Sequence, residues 1–161
     1  PDEAVSRNYK VKEKIVREAV ERLLDDGYAH RQGDHKIVFE EGPDTFVDAL
    51  THVVFGEVDE EGHNTSEYCL CENKRTMALF ADVGSRPCAF VRLNPDAFTD
   101  AKGVHHKSCF KKTKAGKLIV GNQKELDFRV GVYLQRLKFH LDNIAEMEFQ
   151  VEHLFYDGFA V

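Results

Sequence analysis

A chain of 161 residues can bury one hydrophobic core but is short for two. With 42% hydrophobic and 31% charged residues it is neither a disordered tail nor a fibrous repeat, and no run approaches the ~20 apolar residues of a membrane helix. A formal net charge of −6 rules out a surface uniformly coated in phosphate-binding charge, so any nucleic-acid contact must come from a local basic patch.

Taken in order, the first predicted element is a helix from about Tyr9 to Asp26. Val16, Ala19, Val20, Leu23 and Leu24 form its apolar stripe, and Gly27 stops it. Three short strands follow, "KIVFE" (36–40), "TFVDAL" (45–50) and "HVVFGEVD" (52–59), with turns at "EEGP" and around Thr51. A second helix is expected from about Leu70 to Val83, with Glu72, Thr76, Leu79, Phe80 and Val83 on one face and Arg75 at its border. The strand "CAFVRLN" (88–94) ends at Pro95. Residues 96–117 read as a long basic loop, and "KLIVG" (117–121) as one more strand. The third helix, about 123–144, repeats Leu126, Val130, Tyr133, Leu134, Leu137, Leu141 and Ile144 at helical spacing. The aromatic segment "EFQVEHLFY" (148–156) closes the chain in an extended form. Helix, three strands, helix and strand make a single α/β layered domain spanning 1–161.

Four cysteines, Cys69, Cys71, Cys88 and Cys109, are sparse for a disulfide scaffold and point to a reducing, intracellular setting in cytoplasm or nucleus. Cys69, Cys71 and Cys109 with His105 or His106 would offer a mixed sulfur and nitrogen set to zinc. The C-x-C spacing is shorter than that of common zinc sites, and buried free thiols are the expectation. The chain opens on Pro1 rather than Met, so it is expected to be the C-terminal part of something longer.

The chemistry concentrates where the third strand runs into acids. Alternation puts Glu57 and Asp59 on one face. If the preceding strand forms an antiparallel hairpin with this one, Asp44 at its start comes beside them. Carboxylates gathered in a low-dielectric hollow repel unless a cation sits among them. Oxygen ligands of this kind suit Mg²⁺ or Mn²⁺, which also accept phosphate oxygens. His63, four residues beyond Asp59, is placed to orient or deprotonate an attacking water. The plainer alternative is that Glu57, Asp59, Glu60 and Glu61 form a solvated turn and His63 an ordinary surface histidine.

The succession "PD…EVDEEGH…CENKR…LFADVGSRPCAFVRLNPD" resembles a nuclease-type domain of giant-virus, algal and oomycete proteins, where it follows Cys- and His-rich repeats. It is also similar to the very-short-patch-repair endonuclease superfamily, within the restriction-endonuclease-like PD-(D/E)XK fold. The resemblance spans roughly residues 9–157, most densely 43–96. It implies an αβββαβ core carrying a C-terminal helix and strand as additions. It implies phosphodiester hydrolysis in DNA by a Mg²⁺-dependent endonuclease. Asp44 takes the place of the "PD" acid, and Glu57 and Asp59 that of the second acidic element. These three become the metal ligands and, with His63, the catalytic set. The motif lysine is replaced by Asp59, and His63 is the residue that fills its proton-handling role. Where related domains carry a basic pair before "PD", this chain has Glu41 and Gly42. That departure and the missing lysine support the alternative reading, a nuclease-derived binding module without catalysis.

Supporting residues have two readings each. Glu13 adds a carboxylate from the first helix or pairs with Arg17. Glu72 serves the site or the helix dipole. Arg75 grips a phosphate or pairs with Glu72. Arg92, Asn94 and Asp96 at a strand end line a cleft or make a turn. Between Lys102 and Lys124 lie seven lysines, two histidines and no acid. Lys102, His105, His106, Lys107, Lys111 and Lys112 are the expected DNA-backbone contacts, with a steep salt dependence. A solvated loop is the alternative.

Overall fold

The structure, a computed structural model, describes residues 11–12, 14–18, 36–38, 45–48, 51–59, 86–143 and 149–161. Expectations that fall elsewhere, including the second helix, Asp44, His63 and Arg75, lie outside the described residues.

The centre of the molecule is a five-stranded sheet in the order β1-β2-β3-β4-β9. Its strands are β1 (Lys36–Val38), β2 (Thr45–Asp48), β3 (Val53–Val58), β4 (Cys88–Leu93) and β9 (Phe149–Leu154). Three antiparallel neighbours, β1 to β3, lead into a parallel set, β3, β4 and β9. β3 and β4 are buried along their whole length, as strands covered on both faces must be.

The two faces hold separate clusters. Val54, Val58, Val91, Leu93 and Leu154 pack against α2 (Gln123–Asp142) through Leu126, Val130, Tyr133, Leu137 and Leu141. Val16 joins them from α1, the helical residues 11–12 and 14–18. Burying each such aliphatic side chain is worth about 1.5–3 kcal/mol. The other face buries Val53, Phe55, Cys88 and Phe90, with Phe55 stacked on Phe90 at 4.6 Å. α2 begins where the Asn122 side chain accepts the Glu125 amide, leaving one fewer orphan donor in its first turn. It is tied to β9 by Arg136, whose Nε donates to Glu152 at 2.9 Å, while His140 Nε2 lies 3.2 Å from the same carboxylate. Burial pushes the Glu152 carboxyl up, but Arg136 and His140 beside it outweigh that and hold it below its ordinary value.

The segment expected to be a basic loop is partly ribbon. β5 (Phe98–Thr99) pairs with β6 (His105–His106), and β7 (Phe110–Lys112) with β8 (Leu118–Val120). Phe98, Cys109, Phe110 and Leu118 point inward, and the lysines between them point out. Strands of two or three residues are too short to show a periodicity, so of these four only β8, inside the expected "KLIVG" (117–121), was legible. Gly116 makes the β7–β8 turn at φ 83°, a left-handed conformation that suits glycine. Among the described residues no helix is long and apolar enough to cross a membrane.

Candidate active site

β3, β4 and β9 run parallel, so their C-terminal ends open on the same side of the sheet. In open α/β sheets that edge is where ligands bind. The register places Glu57 opposite Arg92 and Arg92 opposite His153. One polar row therefore crosses the end of an otherwise apolar face.

Glu57 is 5% exposed, Asp59 2% and Arg92 4%. The carboxylates converge, and the cation between them is a guanidinium. Arg92 Nε donates to Asp59 Oδ2 at 2.6 Å, and its Nη2 donates to Asp59 Oδ1 at 2.9 Å and Glu57 Oε2 at 2.8 Å. The bidentate fork on Asp59 is the strong, directional form of this pair. A fourth group arrives from beyond β9: the Tyr156 hydroxyl donates to Asp59 Oδ2. Burial, and then the adjacent carboxylate, push the Tyr156 phenol far above its ordinary value, so it stays a protonated donor. His153 is exposed beside this cluster, its ring edge-on to Tyr156 with centroids 4.8 Å apart.

The turns that aim these groups are themselves held. Asp59 N donates to Leu93 O at 2.8 Å, which extends the β3–β4 pairing past the strand end. Phe155 has φ 62°, a left-handed conformation that is costly for an aromatic residue. Burial of its ring among Phe98, Phe128 and Phe159 offsets that cost and turns Tyr156 toward Asp59. Asn94 donates from Nδ2 to Phe155 O at 3.0 Å and accepts from Asp96 N at 3.0 Å. Arg129, 0% exposed, donates to the carbonyls of Asn94, Asp96 and Lys107 at 2.7–3.0 Å and lies over the Phe98 and Phe155 rings.

Of the expected site residues, Glu57 and Asp59 do meet. Asp44, His63 and Arg75 lie outside the described residues, although Thr45, next to Asp44, pairs with Gly56, next to Glu57. Among the described residues no three His, Cys, Asp or Glu side chains are grouped so as to hold a metal ion. Arg92, Asn94 and Asp96 part company. Arg92 turns to the acids and Asn94 to the turn. Asp96 faces a cleft of about 460 Å³ whose walls include Lys12, Ser108, Phe110, Lys111 and Lys112. There Asp96 Oδ1 accepts from Lys12 Nζ at 2.9 Å and from the Ser108 hydroxyl at 3.1 Å.

Lys102, His105, Lys107, Lys111 and Lys112 are all exposed. His106 is half-buried, stacked on Phe98, with Nε2 2.8 Å from Asp100 Oδ2. That hydrogen bond, with those from the Val104 and Lys102 amides, holds the Asp100 carboxyl below its ordinary value. The arrangement leaves the lysines, rather than His106, as the readily available cations of the patch. Cys88 and Cys109 are free and buried, and burial pushes both thiols up to about 11. In the native protein at pH 8, both are expected to resist alkylation by iodoacetamide, as peptide mass spectrometry will register. Rapid labelling of Cys109 would mean that the β7–β8 ribbon opens readily. Cys69 and Cys71 lie outside the described residues.

Tyr156, His153 and Arg129 were not singled out by sequence reasoning. Arg129 did leave a signal: it falls three residues after Leu126 and four before Tyr133, on the buried face of α2. Comparison of the chain with protein families, curated proteins and solved structures yields no match.

Proposed function

We propose that the domain is a Mg²⁺- or Mn²⁺-dependent DNA endonuclease with a restriction-endonuclease-like core, acting inside the cell. The observation that carries this reading is the convergence of Glu57 and Asp59, both buried, at the carboxyl end of parallel strands. Three antiparallel strands leading into a parallel fourth agree with the αβββαβ order that the resemblance implies.

Glu57 and Asp59 offer hard carboxylate oxygens of the kind a divalent ion takes, and in the structure three of these oxygens accept from Arg92. Glu57 and Asp59 would hold the ion, with Asp44 as the third ligand. When bound, such an ion activates water and stabilises charge on the departing sugar oxygen. Tyr156 fixes one Asp59 oxygen, so the carboxylate cannot rotate freely. His63 takes the proton of the attacking water in this scheme. Lys102, Lys107, Lys111 and Lys112, with His105, supply phosphate contacts whose strength falls as salt rises.

Purified protein with Mg²⁺ or Mn²⁺ is expected to nick supercoiled plasmid. Asp44→Ala and Glu57→Ala should slow nicking by more than the ~10–100-fold that outer-shell partners of a metal contribute. Equal nicking by all three proteins, or none by the parent, removes the assignment.

One observation favours the second reading, a nuclease-derived module that binds DNA or protein without cleaving. Arg92 already engages both Asp59 oxygens and one Glu57 oxygen. That reading expects salt-sensitive DNA binding, no cleavage and no Mn²⁺ uptake in calorimetry.

A further inference from the structure

We infer that the cleft between α1 and the β7–β8 ribbon is a nucleotide site: it takes a nucleoside phosphate, with the phosphate on Lys112 and the nucleoside body against Phe110 and Leu118. The cleft shares no wall residue with the cluster of Glu57, Asp59 and Arg92. The inference therefore needs no metal and stands apart from the nuclease reading.

At about 460 Å³ the cleft falls within the roughly 300–1,000 Å³ of small-molecule sites. Its walls carry three lysines against one carboxylate, and a concave wall of one prevailing sign draws anions. The register decides which ribbon lysine faces inward. Lys112 pairs with Leu118, and Phe110 lies two residues before Lys112, so alternation sets all three on one face. Lys111 pairs with Ile119 and belongs to the other face. Phe110 and Leu118 are buried while Lys112 is exposed, so an apolar floor ends in a cation. Lysine is a compact charge well suited to phosphate. The other polar groups are held still. Lys12 Nζ is 2.9 Å from Asp96 Oδ1 and 5.8 Å from the Phe110 ring centre, and the Lys12 and Asp96 side chains are 11% and 7% exposed. The Ser108 hydroxyl donates to the same Asp96 oxygen at 3.1 Å and accepts from the Phe110 amide at 3.0 Å. Asp96 is thereby fixed before a ligand arrives, and a preorganised group costs less to engage. A carboxylate accepts from N–H and O–H donors and repels phosphate. It therefore orients a ligand that is anionic at one end and carries donors at the other. A nucleotide has that make-up: a phosphate, an apolar ring face, and donors on sugar and base.

The test titrates ¹⁵N-labelled full chain with dAMP in the absence of divalent ions and follows backbone amide shifts. The Ser108, Lys112 and Leu118 amides should move together and saturate. Lys112→Gln should weaken dAMP about 10-fold, the weight of one charge-assisted hydrogen bond. Lys114→Gln makes the same charge change at an exposed position outside the cleft, and should stay within about twofold of the parent. Both substitutions are at exposed lysines, so both proteins should fold as the parent does. Equal weakening by the two overturns the inference, because dAMP would then be sensing the basic surface as a whole. Inorganic phosphate bound as tightly as dAMP also overturns it, since the floor of Phe110 and Leu118 would add nothing. So does the lack of any saturable shift at the three amides. A single-stranded oligonucleotide with a 5′-phosphorylated dA end separates the two sources of the ligand. Tighter binding than dAMP, lost in Lys112→Gln, supports a strand end as the occupant; weaker binding than dAMP supports the free nucleotide. Saturable dAMP binding by a protein that nicks no plasmid keeps this inference and removes the nuclease, and nicking without dAMP binding does the reverse.

Discussion

Asp59→Ala is expected to destabilise the fold by about 3–5 kcal/mol, the penalty for removing one partner of a buried ion pair. The reason lies in what remains behind. Arg92 loses its fork and Tyr156 loses its acceptor, in a place where neither is more than a tenth exposed. At roughly 2–4 °C per kcal/mol for a chain of this size, the melting midpoint should fall by about 10 °C. Asp59→Asn keeps the shape and a carbonyl oxygen but turns the other oxygen into a donor facing Arg92, so it should recover only part of the loss. Circular dichroism melts of the three proteins check this. A change below about 1 kcal/mol would show that water reaches the cluster and that the acids behave as surface groups.

Arg129→Ala should be as damaging, for a different reason. Its guanidinium closes on three backbone carbonyls from two segments, Asn94 and Asp96 in one and Lys107 in the other, while Nε donates to Glu125 at 2.9 Å. Truncation leaves those carbonyls short of a donor and opens a gap between Phe98 and Phe155. Each unsatisfied buried group costs about 1–3 kcal/mol, so a total of about 3–5 kcal/mol is expected. Arg129→Lys should rescue little, since a single ammonium cannot span the three oxygens. Urea denaturation gives the energy. Hydrogen exchange should show amide protection lost first around Cys109, whose N–H donates to Pro95 O at 3.0 Å. Uniform loss across the sheet would mean that Arg129 supports the core at large rather than this junction.

The elements that could be read from sequence are those whose apolar pattern is long enough to count. β3, β4 and α2 fall within a residue or two of their expected bounds, because six buried residues in a row or seven helical repeats leave little choice. The ribbon strands β5 to β7 carry two or three residues each and were hidden beneath their lysines, whereas β8 falls inside the expected strand "KLIVG" (117–121). The shared face of Glu57 and Asp59 followed from alternation. Arg92 as their partner did not, because register is a property of two strands. The residues it joins are 33 and 35 positions away, with nothing local to mark the match. The Tyr156 contact spans 97 positions and depends on a left-handed Phe155 that no propensity scale foresees.

That last contact has a bearing on synthesis. During translation the strand bearing Glu57 and Asp59 leaves the ribosome long before Tyr156 does. Pairings of such sequence separation form late, after chain closure has been paid in entropy. A nascent polypeptide that has not yet delivered Tyr156 therefore holds its acids without the phenol that orients Asp59. Assembly of this buried cluster coincides with docking of the final strand, so a half-made protein carries its acids without their full set of donors.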